Sequence, residues 1–89
     1  MKAVVTVVGK DQVGIIAAVC IKLAEYNVNV LDISQTVMQG YFTMMMVVDV
    51  SACTVGVAQL AENMEQMGKE KNLSVRVQRE DIFEAMHRI

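Results

Sequence analysis

The stretch GKDQVGII, residues 9–16, combines residue types that suit a small polar or anionic ligand. It lies between a run of valines and a long apolar segment with helical spacing. Backbone N–H groups at a helix N-terminus favour an anion, and a glycine there lets a ligand approach the backbone. Two interpretations fit this stretch: a ligand-binding loop shaped by Gly9 and Gly14, or a tight connection whose glycines serve only the turn.

Phosphate chemistry does not fit the same stretch. Its glycines have the GxxxxG spacing of a P-loop, but Ile15 and Ile16 stand where that loop needs Lys and Ser or Thr. An acylphosphatase would need an arginine here, where Lys10 is the only cation. A soft-metal carrier would need two cysteines spaced as CxxC in this loop. We therefore expect neither triphosphate hydrolysis nor a metal site at this position.

The other reactive side chains do not form a catalytic set. His87 is the only histidine, and general-base catalysis needs a second group oriented against it. Cys20 and Cys53 lack the spacing of a metal or redox site, so we expect two reduced, partly buried thiols. The methionines at 44–46 could form a pliable or metal-binding surface, but methionine in a central strand is more often core filling. The sequence predicts a protein that is not an enzyme and needs no metal or cofactor.

Composition limits the possible partners. The formal charge of −2 is spread without blocks, so we expect no nucleic-acid partner. The 89 residues suit a single domain, 1–89, and no apolar run approaches the roughly 20 residues of a membrane span. The first residues lack a signal-peptide cleavage site, which predicts a cytoplasmic location. Because 54% hydrophobic residues is high for so small a domain, we expect some apolar surface to contact another chain.

Hydrophobic periodicity predicts the elements that position the loop. Residues 2–8 and 41–50 are apolar on both faces, which is typical of central strands. Residues 29–38 alternate with a period of two, which indicates a strand with one solvated face. Gln39 and Gly40 form the turn of a hairpin. The predicted elements are strands over 2–8, 29–38, 41–50 and 73–78, helices over 13–26 and 54–71, and a short helix from Asp81.

This order is that of the α+β, ferredoxin-like βαββαβ sandwich. Right-handed crossovers place both helices on one face of a four-stranded antiparallel sheet, with the first and third strands in the centre. An RNA-binding module of this fold needs aromatic residues on those two strands, and the first has none. The C-terminal helix carries four apolar residues that we expect to dock on the chain or a partner: Ile82, Phe83, Met86 and Ile89.

The stretch VVGKDQVGIIAAVCIKLAEYNVNVLDISQ resembles the ACT domain, a small-molecule regulatory module. The likeness rests on a strand, a loop of the form D-x-x-G, a helix, and an Asn-hydrophobic opening of the next strand. The full length resembles stand-alone single-ACT-domain proteins of bacteria and archaea, and more distantly the ACT domains of glycine-cleavage regulators. Val13 stands where many members have proline, which leaves the loop less rigid.

The resemblance implies a homodimer that binds an amino acid or related effector at its interface. Asp11 and Asn29 would hold the polar groups of the ligand, and Gly14 would let its carboxylate reach the backbone. Asn29 begins a strand whose edge we expect near the loop. The alternative is an interaction or dimerisation module of an enzyme or transcriptional regulator, with no ligand. The predicted ligand-binding residues are Lys10, Asp11, Gln12, Val13, Gly14, Ile15, Asn29 and Val30.

Overall fold

The computed structural model describes residues 1–87 and contains four strands and three helices. The strands lie in the order β2-β3-β1-β4, and every neighbouring pair is antiparallel. This is the predicted ferredoxin-like arrangement, with β1 and β3 in the centre. The elements are β1 Lys2–Lys10, α1 Ile15–Glu25, β2 Asn29–Met38, β3 Tyr41–Asp49, α2 Val57–Glu70, β4 Leu73–Arg79 and α3 Glu80–His87.

The core lies between the sheet and the two long helices. Val5 and Val7 of β1 pair with Met46 and Met44 of β3, and all four are fully buried. They belong to one cluster with Leu23 of α1 and the buried residues of α2. Two of the three consecutive methionines are therefore core filling, as predicted, because alternate residues of a strand share a face.

The opposite face of the sheet is largely open. Val4 is only 4% exposed there, and α3 contacts both β1 and β4. Farther along the same face, Val8 and Met45 are 42% and 41% exposed. Apolar residues on both faces correctly predicted that β1 and β3 are central strands. The face of these strands that carries no long helix is nevertheless partly exposed to solvent.

The C-terminal helix was predicted to dock through its apolar residues. Ile82 is 45% exposed in the single chain. The side chains of Phe83 and Met86, and Ile89 as a whole, lie outside the part of the chain that the structure describes, so their docking stays a prediction.

The edge strand β2 differs from the prediction of one solvated face. Ile33 and Val37 pair with the buried residues Met46 and Phe42, so they share the helix-side face of the sheet. They are nevertheless 40% and 55% exposed. Two helices do not cover all four strands, and the outermost strand is left open on both faces. A register shift between Val30 and Asp32 adds a bulge near its start.

Candidate functional site

The loop between β1 and α1 is held from two sides. The backbone N–H of Asp11 donates a 2.8 Å hydrogen bond to the carbonyl oxygen of Gly40, in the turn between β2 and β3. The side-chain Nε2 of Gln12 donates a 3.1 Å bond to the carbonyl oxygen of Lys71, between α2 and β4. These bonds hold the loop at the end of the sheet where the β1–α1, β2–β3 and α2–β4 connections lie close together.

Gly14 ends the loop and caps α1. Its backbone lies in the left-handed region, with φ 86° and ψ 8°, so the helix begins two residues later than the predicted start at Val13. Its carbonyl oxygen accepts the first helical hydrogen bond, from the N–H of Ala18 at 2.9 Å. Among the described residues no side chain caps this helix, and its first turn has no acidic residue. Such an N-terminus is a place where the oxygen atoms of an anion can accept hydrogen bonds.

A cavity of about 270 Å³ opens beside this helix start. Its volume is close to the lower end of ligand pockets, roughly 300 to 1,000 Å³. Its polar side chains come from the loop and from β2, and its apolar ones from α1, β2 and β3. The lining residues are Asp11, Gln12, Gly14, Ile15, Ile16, Ala17, Gln35, Val37 and Phe42.

Four of the eight predicted site residues line this cavity: Asp11, Gln12, Gly14 and Ile15. The side chain of Ile15 belongs to the core, with the residue only 4% exposed, so its backbone is the part that can meet a ligand. Lys10 ends β1 beside the loop without lining the cavity. Val13 lies fully exposed, because the left-handed turn at Gly14 directs it away from the protein.

β2 does lie near the loop, through Gln35 and Val37, but Asn29 and Val30 lie at the opposite end of that strand in the same chain. Asn29 pairs with Asp49, which pairs with Lys2 at the start of β1. The loop follows the other end of β1. Ten residues of strand separate the two positions, which is about 30 Å at a rise of 3.3 Å per residue. The cause is topological: α1 returns across the sheet, so β2 begins where β1 begins.

Gly9 also has a different role from the loop-shaping one proposed for it. It lies within β1, opposite Leu73 of β4. A Cβ atom at this position would come 2.5 Å from Cδ2 of Leu73 and 3.3 Å from the carbonyl oxygen of Asn72. A side chain at position 9 would therefore require Leu73 to move, so the close packing of β1 against β4 favours glycine here.

The sequence-based prediction missed Gln35, Val37 and Phe42. They come from strands remote from the loop in sequence, and the pairing of Val37 with Phe42 brings them together. A signal was present, because the turn at Gln39 and Gly40 fixes that pairing and places the end of β2 beside the end of β1.

The side chains with shifted pKa values lie at the other end of the sheet. Hydrogen bonds from Ser51 lower the pKa of Asp49, and a hydrogen bond from Arg79 lowers the pKa of Asp81. No cluster of His, Cys, Asp and Glu able to hold a metal occurs among residues 1–87. No helix in the described part of the chain is long and apolar enough to cross a membrane.

Comparison with known proteins gives a consistent result. The family model described as "ACT domain" matches residues 2–78. The UPF0237 protein of the bacterium Listeria innocua is 49% identical over 89 residues, with complete coverage of both chains. The UPF0237 protein of the archaeon Methanocaldococcus jannaschii is 49% identical over 88 residues, covering 99% of this chain and 98% of its own.

Three solved structures align with this chain over most of its length. An ACT domain protein from Streptococcus pneumoniae aligns with a TM-score of 0.83 and 47% identity over 98% of both chains. The regulatory subunit of aspartate kinase from Thermus thermophilus aligns at 0.65 and 25% identity, over 86% of this chain and half of its own. A putative glycine cleavage system transcriptional repressor shares the fold, with a TM-score of 0.72 and 22% identity over 88% of this chain and 44% of its own.

Proposed function

Because the chain belongs to the ACT domain family, we propose that it is a non-enzymatic regulatory domain that binds an amino acid or related effector as a cytoplasmic homodimer. The observation that carries the proposal is the cavity at the uncapped start of α1. The aspartate kinase neighbour is named as a regulatory subunit, which supports a regulatory role for the fold.

The chemistry of the cavity suits a small amino acid. Its carboxylate would accept hydrogen bonds from the backbone N–H groups of the first turn of α1, beside Gly14. Its ammonium would meet the carboxylate of Asp11 as a charge-assisted hydrogen bond. Its side chain would lie against Ile16, Val37 and Phe42.

The proposed dimer forms through the free edge of β2. This strand has ten residues, and four of its side chains are large, apolar and at least 40% exposed: Leu31, Ile33, Val37 and Met38. A long exposed edge of this kind is a template for pairing with another strand. A second copy related by a two-fold axis would pair with it antiparallel.

Such pairing supplies the residues that one chain lacks at the site. If the two-fold axis passes through Ile33, Val30 of one copy lies opposite Thr36 of the other; if it passes through Ser34, Val30 lies opposite Met38. In both registers the start of one β2 comes to the end of the other, where the cavity is. Asn29 and Val30 therefore remain proposed ligand residues, contributed by the second copy.

A thermal-shift screen with the twenty amino acids tests the proposal. A ligand that binds only the folded state raises the melting temperature by mass action. Gly14→Asn should then weaken binding at least tenfold, or about 1.4 kcal/mol, because asparagine tolerates the left-handed backbone but puts a side chain beside the carboxylate. Gly56→Asn, at the cap of α2, is the matched control and should bind normally. Equal loss in both variants, or none in either, would contradict the assignment of the site.

A second candidate is a dimerisation or interaction module that binds no ligand. The observation that favours it is the open sheet face, where Val8 and Met45 are exposed beside Tyr41, which is 57% exposed. In that case no amino acid raises the melting temperature, and the chain still forms dimers.

A further inference from the structure

The sheet has a second free edge, at β4. Within residues 1–87, β4 pairs with β1 on one side and with no strand on the other. The helix α2 runs along this edge, and two cavities of about 470 and 330 Å³ lie between them. Both cavities are lined by Glu65 of α2 and Arg76 of β4, so they form one groove. We call this groove the β4 edge groove.

We propose that the β4 edge groove binds an extended, acidic segment of a partner protein, which adds a fifth strand to the sheet. This surface is distinct from the cavity at Gly14 and from the β2 edge. A regulatory domain that detects a ligand at one place needs a second place to contact the protein that it regulates, and the β4 edge has the geometry for strand addition.

The shape of the groove fits an extended chain. Because β4 pairs with β1 on one side, the backbone N–H and C=O groups of alternate residues point toward the free edge. Ala61, Glu65 and Lys69 follow one another at intervals of four along α2, so they form a wall on one side of that edge. An added strand would direct alternate side chains toward this wall and toward the open face.

The charges favour an acidic occupant. Arg76 is exposed and forms no ion pair with any described residue. The Nζ atom of Lys69 lies 4.0 Å from the carboxylate of Glu65, with both side chains more than half exposed, which is a weak pair. The charged residues that line the groove are therefore two cations, Lys69 on the α2 side and Arg76 on the open face of β4, and one anion, Glu65.

The same charges disfavour a second copy of this chain in the groove. Arg76 is the middle residue of β4, which spans Leu73–Arg79. Antiparallel pairing of two β4 edges about a central two-fold axis would place the two Arg76 side chains opposite each other. Like charges in directly opposite positions destabilise a pair of strands. An acidic residue opposite Arg76 has the reverse effect.

Selection from a phage library of random eight-residue peptides tests the proposal with the intact 89-residue protein. The selected peptides should carry aspartate or glutamate at alternate positions and should contain no proline. In fluorescence anisotropy, Arg76→Glu should weaken binding of such a peptide at least tenfold, or about 1.4 kcal/mol. Lys2→Glu, an exposed cation at the far end of β1, changes the net charge equally and should leave the affinity within twofold.

Backbone measurements separate strand addition from simple charge attraction. In hydrogen exchange followed by NMR, the bound peptide should protect amides of β4 and leave those of β2 unchanged. The same peptide with N-methylated alternate amides should not bind.

The proposal would be overturned if no acidic peptides were selected, if the peptide protected amides of β2, or if the methylated peptide bound with undiminished affinity. A thermal-shift screen that finds no amino acid leaves these measurements unaffected, so this proposal and the proposed ligand site fail independently.

Discussion

At the scale of single residues, Gly14 and Gly56 provide a matched pair. Each caps a helix without a side-chain hydrogen bond, and each has open space where a Cβ atom would lie. They differ in backbone conformation, since φ is 86° at Gly14 and −66° at Gly56. If alanine destabilises the protein more at Gly14 than at Gly56, the difference therefore measures the cost of placing a Cβ atom on a left-handed backbone.

We predict that Gly14→Ala lowers the free energy of unfolding by about 1 to 2 kcal/mol more than Gly56→Ala, because an L-residue with a Cβ is disfavoured in that region. Urea unfolding of the two variants without ligand measures the difference. Equal losses would show that the backbone at Gly14 relaxes without cost. Valine would be strained further, since β-branched residues are rarer still at positive φ, so asparagine is the better probe of ligand binding.

Asp49 predicts an acid-sensitive contribution to stability. Hydrogen bonds from Ser51 lower its pKa below the usual 3.8, and the N-terminal ammonium, 3.6 Å away, acts in the same direction. A carboxyl with a lowered folded-state pKa contributes stability that is present above its unfolded pKa and is lost as the pH falls through the folded value.

Asp49→Asn should therefore flatten the fall in unfolding free energy below about pH 5. Glu62→Gln, an exposed carboxylate of α2 in no ion pair among the described residues, is the control for urea unfolding across this range. Parallel curves for Asp49→Asn and the unaltered protein would contradict this.

At the scale of elements, α3 follows β4 directly and contacts both β1 and β4. Arg79 and Asp81 form two hydrogen bonds, of 3.1 and 2.7 Å, where β4 passes into this helix. Val4 is buried on the face that α3 contacts. Truncation after Glu80 should expose Val4 and lower the unfolding free energy by at least about 1.5 kcal/mol, from the burial of one valine.

A double-mutant cycle gives the control for this truncation. Val4→Ala should destabilise the full chain more than it destabilises the truncated one, because we expect α3 to shield Val4 from water. Equal effects in the two backgrounds would mean that Val4 is buried by other parts of the sheet.

The elements were predictable from sequence, but their contacts were less so. Period-two and helical patterns are local, so the order of elements and the central places of β1 and β3 followed from them. The site depends on which ends of the strands meet, and this is set by crossover direction and hairpin register. Gly14 was predicted from its place at the helix start, and Asp11 from the resemblance of the D-x-x-G loop to the ACT domain. Gln35 and Phe42 were not predicted as lining residues because their position beside the loop depends on the direction of β2 and its pairing with β3.

At the scale of the whole molecule, the exposed β2 edge predicts a dimer at micromolar concentration. Ile33→Lys should weaken dimerisation at least tenfold, or about 1.4 kcal/mol, because a two-fold axis near this residue brings the two new ammonium groups together. Val8→Lys places the same charge on a similarly exposed residue of β1 and should not change the dimer. Sedimentation equilibrium measures both. A monomeric unaltered protein would contradict the dimer and the shared ligand site together.

A shared site also predicts complementation between two inactive variants. In the proposed dimer each site uses the loop of one copy and Asn29 of the other, so Gly14→Asn and Asn29→Ala each damage both sites of their own homodimer. A mixed dimer contains one site with both substitutions and one with neither, because the intact loop of one chain meets the intact Asn29 of the other. Equal mixing and random exchange of subunits should therefore restore about one quarter of the original binding capacity, since half of the dimers are mixed and each has one intact site. Isothermal titration of the separate and mixed variants, with the amino acid that the thermal-shift screen identifies, measures this capacity. If Asn29→Ala binds normally by itself, or if mixing restores nothing while subunits exchange, the site is not shared in the proposed way. The ligand would then be held by one chain alone, through Asp11, Gln12 and Gln35.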